Sequence, residues 1–368
     1  MKKLFIFTVC TMAAIITNAT IRTVCNVPSP SAQFSSIQAA VDSSATGDTV
    51  LVQGSGTPYA SFVIADKRLV VIGPGWKPLR NLPQLTADLQ NCTITGPASS
   101  GTEIQGLTFR DGFNYGLNIQ AGVIISNIRI IRNHFLKSIV IGGSGTGIYS
   151  GYLFEGNWFD GVTIQAGAYG GGSYSNFIIQ NNIFYNASLT QFGKTSNMIL
   201  DHNLFYSSGL FYPFGTNASY PSKNFTVQNN IFCRAEPVYG SSGTGGATNC
   251  VFKNNITFNT NATAPWTLNG NIDGGGNVLN QDPLMASQTQ VNSGVDDPLL
   301  SFIITSGPAN NKATDGKDMG LLYNPAGSLN WANSRSSRLP YVYNVIIANS
   351  TIAPGGTLNV SVEARKTN

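Results

Sequence analysis

A short motif anchored on asparagine recurs through the middle of this 368-residue chain, and no other feature restricts the possible folds as strongly. Each copy has two or three apolar residues, a polar residue, one variable residue, the asparagine, an apolar residue and usually a phenylalanine. Successive asparagines are 24, 25, 21, 27, 25 and 22 residues apart, with a mean of 24. A period of this length indicates a solenoid, in which each coil packs only on its neighbours. The anchoring residues are Asn133, Asn157, Asn182, Asn203, Asn230, Asn255 and Asn277.

The residues between the turns indicate strands rather than helices. The runs are short, rich in β-branched and aromatic residues, and bounded by Gly or Asn. A second run that ends in glycine, such as 162–167, recurs in each repeat and brings the number of strands to about three per coil. We therefore predict an all-β, single-stranded, parallel β-helix with about 24 residues per coil. The crossover rule for parallel strands favours the right-handed form.

The asparagine of each motif lies between two apolar runs, which suggests that it makes a bend. Asn and Gly tolerate the left-handed conformation best, so we expect each anchoring asparagine to adopt it, and Gly106 to replace the asparagine in an earlier copy. Stacked coils would then align the amides in a hydrogen-bonded ladder. The phenylalanines two residues later would stack inside the coil, namely Phe135, Phe159, Phe184, Phe205 and Phe232.

The flanks of the repeat suggest five segments. Residues 1–19 predict a signal peptide, because Lys2 and Lys3 precede an apolar stretch that ends in small residues at Thr17 and Ala19. The mature chain is then secreted (extracellular, cell-surface or periplasmic) and not inserted in a membrane. We expect an N-terminal strand and capping helix over 20–47, the β-helix over 48–290, a loop-rich closing segment over 291–335 and a hairpin tail over 336–368.

Four cysteines follow the predicted signal peptide: Cys25, Cys92, Cys233 and Cys250. Four cysteines allow three disulfide connectivities, and export would permit disulfides to form. None of these cysteines has the close spacing of a zinc motif, and histidine is nearly absent. The pattern favours buried cysteines or one incidental disulfide, and it predicts no metal site and no cofactor.

Part of the sequence resembles a known superfamily. The stretch from Phe34 to Asp42, followed by Gly47-Asp48-Thr49-Val50, resembles the N-terminal signature of secreted pectin-lyase-like right-handed β-helix proteins. The asparagine repeats and the segment from Asp315 to Gly320 are similar to the same superfamily, so the resemblance covers about 32–322. It implies the fold, but no single activity, since its members include lyases, hydrolases, phage tailspikes and non-catalytic surface proteins.

Composition and resemblance together predict a partner that is a polysaccharide or cell-surface glycan. Charged residues make up only 10% of the chain, which excludes the dense basic stripe of a nucleic-acid-binding protein. In the superfamily, polysaccharide lies along one strand face and its turns, which here is the glycine-terminated strand. We predict a glycan-binding or surface-structural protein that uses amides, hydroxyls and turn aromatics. The candidate ligand-binding residues are Asn118, Gln120, Thr163, Gln165, Gln191, Tyr185 and Tyr206.

An enzyme is the alternative prediction, either a polysaccharide lyase or a glycoside hydrolase with a sparse active site. Asp111, Lys137 and Asp160 occupy related turns of three successive coils, so that a lysine would lie between two carboxylates. A solvated charge ladder is the competing interpretation of these residues. The repeats lack the carboxylate set that would hold Ca²⁺ for a lyase. His134 and His202 fall on opposite sides of their asparagines, so we expect each to be bonded at its own turn.

Overall fold

A computed structural model describes residues 19–27, 32–76, 85–110, 115–143, 145–167, 172–217, 219, 221–239, 245–297, 300–323, 340–347 and 354–366. The chain forms an all-β parallel solenoid of about 9 turns with a spacing of about 25 residues, which confirms the predicted fold class. The predicted signal peptide lies outside the described residues except for Ala19, and Asp111 also lies outside them.

An eleven-stranded sheet forms one side of the solenoid, and all of its neighbouring strands are parallel. Its short strands reflect the brief β-branched runs between the corners. In spatial order they are Ile21–Val24, Thr49–Val52, Val70–Ile72, Glu103–Gln105, Arg129–Ile131, Leu153–Glu155, Ile178–Gln180, Met198–Asp201, Phe225–Gln228, Val251–Lys253 and Ile272–Asp273.

Three further parallel sheets complete the coils. The eight-stranded sheet contains Asp88–Leu89, Thr108–Phe109, His134–Phe135, Trp158–Asp160, Ile183–Tyr185, Leu204–Phe211, Ile231–Ala235 and Ile256–Phe258. The six-stranded sheet contains Phe62–Ala65, Cys92–Thr95, Leu117–Ile119, Ile139–Ile141, Thr163–Ala166 and Ser188–Thr190. The four-stranded sheet contains Ile124–Ser126, Ile148–Ser150, Ser173–Ser175 and Thr195–Ser196.

Smaller elements lie at the edges of the coils and towards the ends of the chain. Ser222–Lys223, Gly245–Thr248 and Val238–Tyr239 form a three-stranded sheet, and Pro340–Ile347 pairs with Val360–Lys366 in an antiparallel hairpin. The α-helices are Ile37–Asp42 and Gln288–Asn292, and the 3₁₀ helices are Pro97–Ser99 and Leu268–Gly270. Ser36 caps the first helix, which buries Ile37, Ala40 and Val41 against the core.

The corners depend on left-handed residues, but these are not the anchoring asparagines. Within a regular coil the left-handed residues recur every five positions, as at Asn176, Asn181 and Asn186. At the corner after the eleven-stranded sheet, the left-handed residue immediately precedes the anchoring asparagine, which corrects our expectation. The register pairs Gln105 with Ile131, so Gly106 corresponds to the left-handed Arg132. These corner residues are Gly106, Arg132, Gly156, Asn181, His202, Asn229, Asn254 and Gly276.

The anchoring asparagines point inward and form a continuous ladder. Each amide nitrogen donates to the side-chain oxygen of the next asparagine, from Asn133 through to Asn277. The side-chain oxygen also accepts from the backbone N–H of the preceding asparagine, as Asn182 does from Asn157 at 2.8 Å. The phenylalanines stack beside this ladder, with 4.5 Å between the ring centroids of Phe184 and Phe205. Polar and aromatic stacks therefore fix the register of successive coils together.

The C-terminal segment covers part of the outer face of the eight-stranded sheet. Apolar side chains from 285–321 pack on the outward column that contains Ile183, Leu204, Ile231 and Ile256, forming a second apolar cluster outside the coil. Corner side chains hold the same segment. The Asn181 side-chain oxygen, for example, accepts from the backbone N–H of Leu322 at 2.8 Å. The solenoid wall is thus buried on both sides in this region, and Trp76 and Trp158 extend the same cluster towards the N-terminus.

Candidate functional site

Two surfaces bring together the candidate residues, and the first is the outer face of the six-stranded sheet, hereafter the polar face. No charged residue occurs in any of its six strands. Alternate residues of each strand point outward, so the register aligns Asn118, Val140, Gln165 and Thr190 in one column across four coils. Neighbouring coils are about 4.8 Å apart, so Asn118 and Gln165 lie about 10 Å from each other.

Hydrogen bonds fix several side chains of the polar face. Gln165 donates to the side-chain oxygen of Gln191 at 2.8 Å, across one coil. Gln120 accepts from the Thr95 hydroxyl and from the backbone N–H of Gly96. The hydroxyl oxygen of Thr163 lies 3.3 Å from that of Ser188. All of these side chains remain partly exposed, so they present oriented amides and hydroxyls to solvent.

Asn118 differs from these neighbours. Its side chain makes no hydrogen bond to any part of the chain that the structure describes. Its amide therefore has both donor and acceptor capacity free for a ligand.

The two predicted turn aromatics do not belong to the polar face. Tyr185 and Tyr206 pair in register on the eight-stranded sheet, beneath the C-terminal segment. Tyr206 is fully buried and donates to the carbonyl of Val295 at 3.2 Å, while Tyr185 donates to that of Gly294 at 3.0 Å. Burial raises the pKa of both phenols. Tyr206 cannot stack on a sugar ring in this state, which corrects its predicted role.

The predicted row of Asp111, Lys137 and Asp160 is not assembled as expected. Asp111 lies outside the described residues. Phe135 pairs with Phe159, so Asp160 is level with Leu136, and Lys137 is one position further along the chain. Among the described residues, Lys137 forms no ion pair with Asp160. Lys137 follows its phenylalanine by two residues and Asp160 follows its own by one, so the spacing in the sequence already separates these two positions.

Asp160 instead belongs to a second surface, the acidic cluster, formed by His134, Asp160, Asp296 and Asp297. The Nε2 atom of His134 lies 3.5 Å from Oδ2 of Asp160. Asp160 and the C-terminal segment meet because Tyr185, the register partner of Asp160, anchors Gly294. The same segment carries Asp296, whose carboxyl is near enough to that of Asp160 to interact with it electrostatically.

The proton affinities in this cluster are shifted in opposite directions. Partial burial, together with the charge and hydrogen bond of Asp160, raises the pKa of Asp296 to about 7. Asp296 therefore keeps its proton to a higher pH than an ordinary carboxyl does. Burial lowers the pKa of His134, and the Asp160 carboxylate opposes this only in part. The imidazole therefore stays mostly neutral where an ordinary histidine would begin to charge.

Aromatic rings form the floor of the acidic cluster. The His134 imidazole stacks on Trp158, with 3.8 Å between centroids and 6° between planes, because the two residues pair in register. Trp76 packs on Trp158 at 5.5 Å. Beside them, Arg110 pairs with Asp88 at 3.0 Å. In this part of the eight-stranded sheet the outer face therefore combines buried aromatic rings with charged side chains.

Sequence analysis did not identify Asp296 as a functional residue. The pair Asp296-Asp297 lies beyond the repeats, so no periodicity relates it to Asp160. Two adjacent acids in a chain with only 17 acidic residues were the available signal. His202 lies elsewhere, near Asp315 and with Nδ1 3.1 Å from the Gly320 carbonyl, so the two histidines do not meet.

Comparisons with known proteins give no family for this chain. No protein-family model matches it, and no curated protein matches its sequence. Within the described ranges, no helix is long and apolar enough to cross a membrane. The described residues also contain no group of three or more His, Cys, Asp or Glu side chains arranged to hold a metal ion. The four cysteines that the structure describes, Cys25, Cys92, Cys233 and Cys250, are free thiols.

Proposed function

We propose that this protein is a secreted β-solenoid that binds a neutral or weakly charged glycan through the polar face. The observation that carries the proposal is a sheet surface of six consecutive strands without charge, on which amides and hydroxyls are aligned in register. Amides and hydroxyls supply the directional donors and acceptors that sugar hydroxyls require. Secretion is part of the proposal, and the predicted signal peptide supports it.

The spacing of the solenoid suits an extended polymer. Register-paired positions recur about every 4.8 Å, so a chain lying along the solenoid axis would meet polar groups in several coils, as at Gln165 and Thr190. Asn118 offers an unused amide, while the hydrogen bond between Gln165 and Gln191 holds two further amides in place. Preorganised side chains lose less entropy on binding than mobile ones.

A polysaccharide lyase or glycoside hydrolase remains the alternative proposal. The convergence of His134, Asp160 and Asp296 favours it, because these are three ionisable groups at one place. Assaying reducing ends and unsaturated products from acidic and neutral polysaccharides, with Asp160→Asn as the comparison, distinguishes the two proposals.

The binding proposal is tested with the double variant Gln165→Ala/Gln191→Ala. Purified protein is titrated against a panel of soluble neutral polysaccharides, including β-glucans and mannans. We expect the variant to bind its glycan about tenfold or more weakly, since two polar contacts are worth roughly 1–3 kcal/mol in total. Affinity should change little between low and physiological salt, because few ion pairs would be screened.

The matched control is Gln180→Ala/Gln228→Ala. It removes two glutamines that lie on the outer face of the eleven-stranded sheet instead. Both variants should unfold as the parent does, and the control should bind normally. Equal losses in the two variants, or no neutral glycan bound by the parent, would show that the polar face is not the binding surface.

A further inference from the structure

We propose that the polar face binds an extended β-1,4-linked chain of neutral sugars that lies along the solenoid axis. This inference rests on the proposed function and names the class of glycan for the same surface. Two spacings of polar groups carry it. Hydroxyls recur at every coil along one column of the face, and amides recur at every second coil along the neighbouring column.

The column of hydroxyls contributes one group per coil. Ser138, Thr163 and Ser188 come from three successive coils and are all partly exposed. The Ser138 hydroxyl accepts from the backbone N–H of Thr163 at 3.2 Å, and Thr163 in turn contacts the Ser188 hydroxyl. These contacts hold the three side chains in line. Because coils are about 4.8 Å apart, the column has nearly the step that one sugar adds to an extended chain.

The neighbouring column alternates between long amides and short β-branched residues. Its amides, Asn118 and Gln165, are two coils apart, or about 10 Å, and both are partly exposed. Asn118 makes no hydrogen bond within the described part of the chain, while Gln165 is oriented by its bond to Gln191. The residues on the coils before, between and after the two amides are Thr93, Val140 and Thr190.

An extended β-1,4-linked chain of pyranoses has both of these periods. Each sugar is turned to face the opposite way from the last, so a given hydroxyl edge returns only at every second sugar. That two-sugar repeat is nearly as long as two coils, so equivalent hydroxyls of alternate sugars can bond to Asn118 and Gln165. The sugar between them presents its other edge above Val140, which is only 6% exposed and has no polar side-chain atom.

Other linkages do not reproduce this pattern. A β-1,3-linked glucan curves and an α-1,4-linked glucan coils, so neither returns the same hydroxyl edge on a straight line after two coils. The sugars are neutral because the six strands of the polar face contain no charged residue. A uronate placed there would give up water without meeting a cation.

The test compares cellotetraose, laminaritetraose and maltotetraose, which are β-1,4-, β-1,3- and α-1,4-linked chains of the same sugar. Isothermal titration calorimetry with the purified protein measures each affinity. We expect cellotetraose to bind about tenfold or more tightly than the other two, because only the β-1,4-linked chain can reach both amides at once. Asn118→Ala removes one of the two amides, so the three tetramers should then bind with similar affinity.

Val140→Asn tests the two-coil period itself. It places an amide beneath the sugar that presents no matching edge, where the amide would lose water without gaining a bond, so cellotetraose should bind about tenfold more weakly. Val63→Asn is the matched control, because it makes the same change in the same column, two coils before Asn118 and beyond the reach of a tetramer bound to both amides. It should not weaken binding, and thermal unfolding of each variant checks the fold.

Two results would overturn this inference. One is a β-1,3- or α-1,4-linked tetramer that binds the parent as tightly as cellotetraose does. The other is a difference between the tetramers that persists unchanged in Asn118→Ala. In both cases, binding of a neutral glycan that depends on Gln165 and Gln191 would still support the proposed function. If the parent binds no neutral glycan at all, the proposed function and this inference are both wrong.

Discussion

Replacing one asparagine in the ladder tests the main structural inference most directly. Asn182 lies in the middle of the ladder and is fully buried. Its side chain makes four hydrogen bonds: it donates to the Phe154 carbonyl and to Asn203, and it accepts from the backbone and side-chain nitrogens of Asn157. Asn182 itself is not left-handed, so a substitution here changes the side-chain bonds without releasing a strained backbone.

The cost of Asn182→Ala can be estimated from these bonds. The backbone N–H of Asn157 loses its acceptor and stays buried, which costs about 1–3 kcal/mol. The side-chain amide of Asn157 also loses an acceptor. It keeps its hydrogen bond to the Ile130 carbonyl, so this second loss costs less free energy. The two lost donor bonds are worth about 1 kcal/mol each. We therefore expect the free energy of unfolding to fall by roughly 3–5 kcal/mol.

Equilibrium unfolding in guanidinium chloride, followed by circular dichroism, measures this change. Asn176→Ala is the control, because Asn176 is an exposed corner residue outside the ladder, and its loss should cost about 1 kcal/mol. Asn182→Asp keeps the shape of the side chain but removes both donors, so it should also destabilise the protein. If Asn182→Ala costs no more than the control, or if Asn182→Asp is neutral, the ladder does not stabilise the coils as argued here.

Two further predictions concern the aromatic stack and the corners. Phe184→Ala should lower the free energy of unfolding by roughly 3–5 kcal/mol, as for a buried aromatic, and a measured loss below about 1 kcal/mol would contradict the interior position of the stack. Asn186 is exposed and left-handed with a φ of 45°, so Asn186→Val should cost about 1–2 kcal/mol in the same assay. Asn186→Gly should be nearly neutral, and equal losses for the two variants would show that backbone conformation does not decide this position.

Three features could be predicted from the sequence: the period of the repeat, its strands rather than helices, and the position of the phenylalanines inside the coil. Each coil is built from local signals that recur, so one pattern repeated seven times outweighs the ambiguity of any single copy. The same pattern did not reveal which corner residue is left-handed. In pairs such as Asn181-Asn182 both residues tolerate that conformation, and only the fold shows that the first residue adopts it while the second, whose amide joins the predicted ladder, does not.

The tertiary structure alone decided what covers the solenoid and which acids meet. The C-terminal segment has no repeat, so its path across the eight-stranded sheet could not be predicted from a period. That path buries Tyr206, which as a turn aromatic was expected to be accessible. It also brings Asp296 to Asp160, two residues far apart in sequence and on elements of different kinds. Contacts of this sort depend on shape and packing across the whole molecule, because no local spacing encodes them.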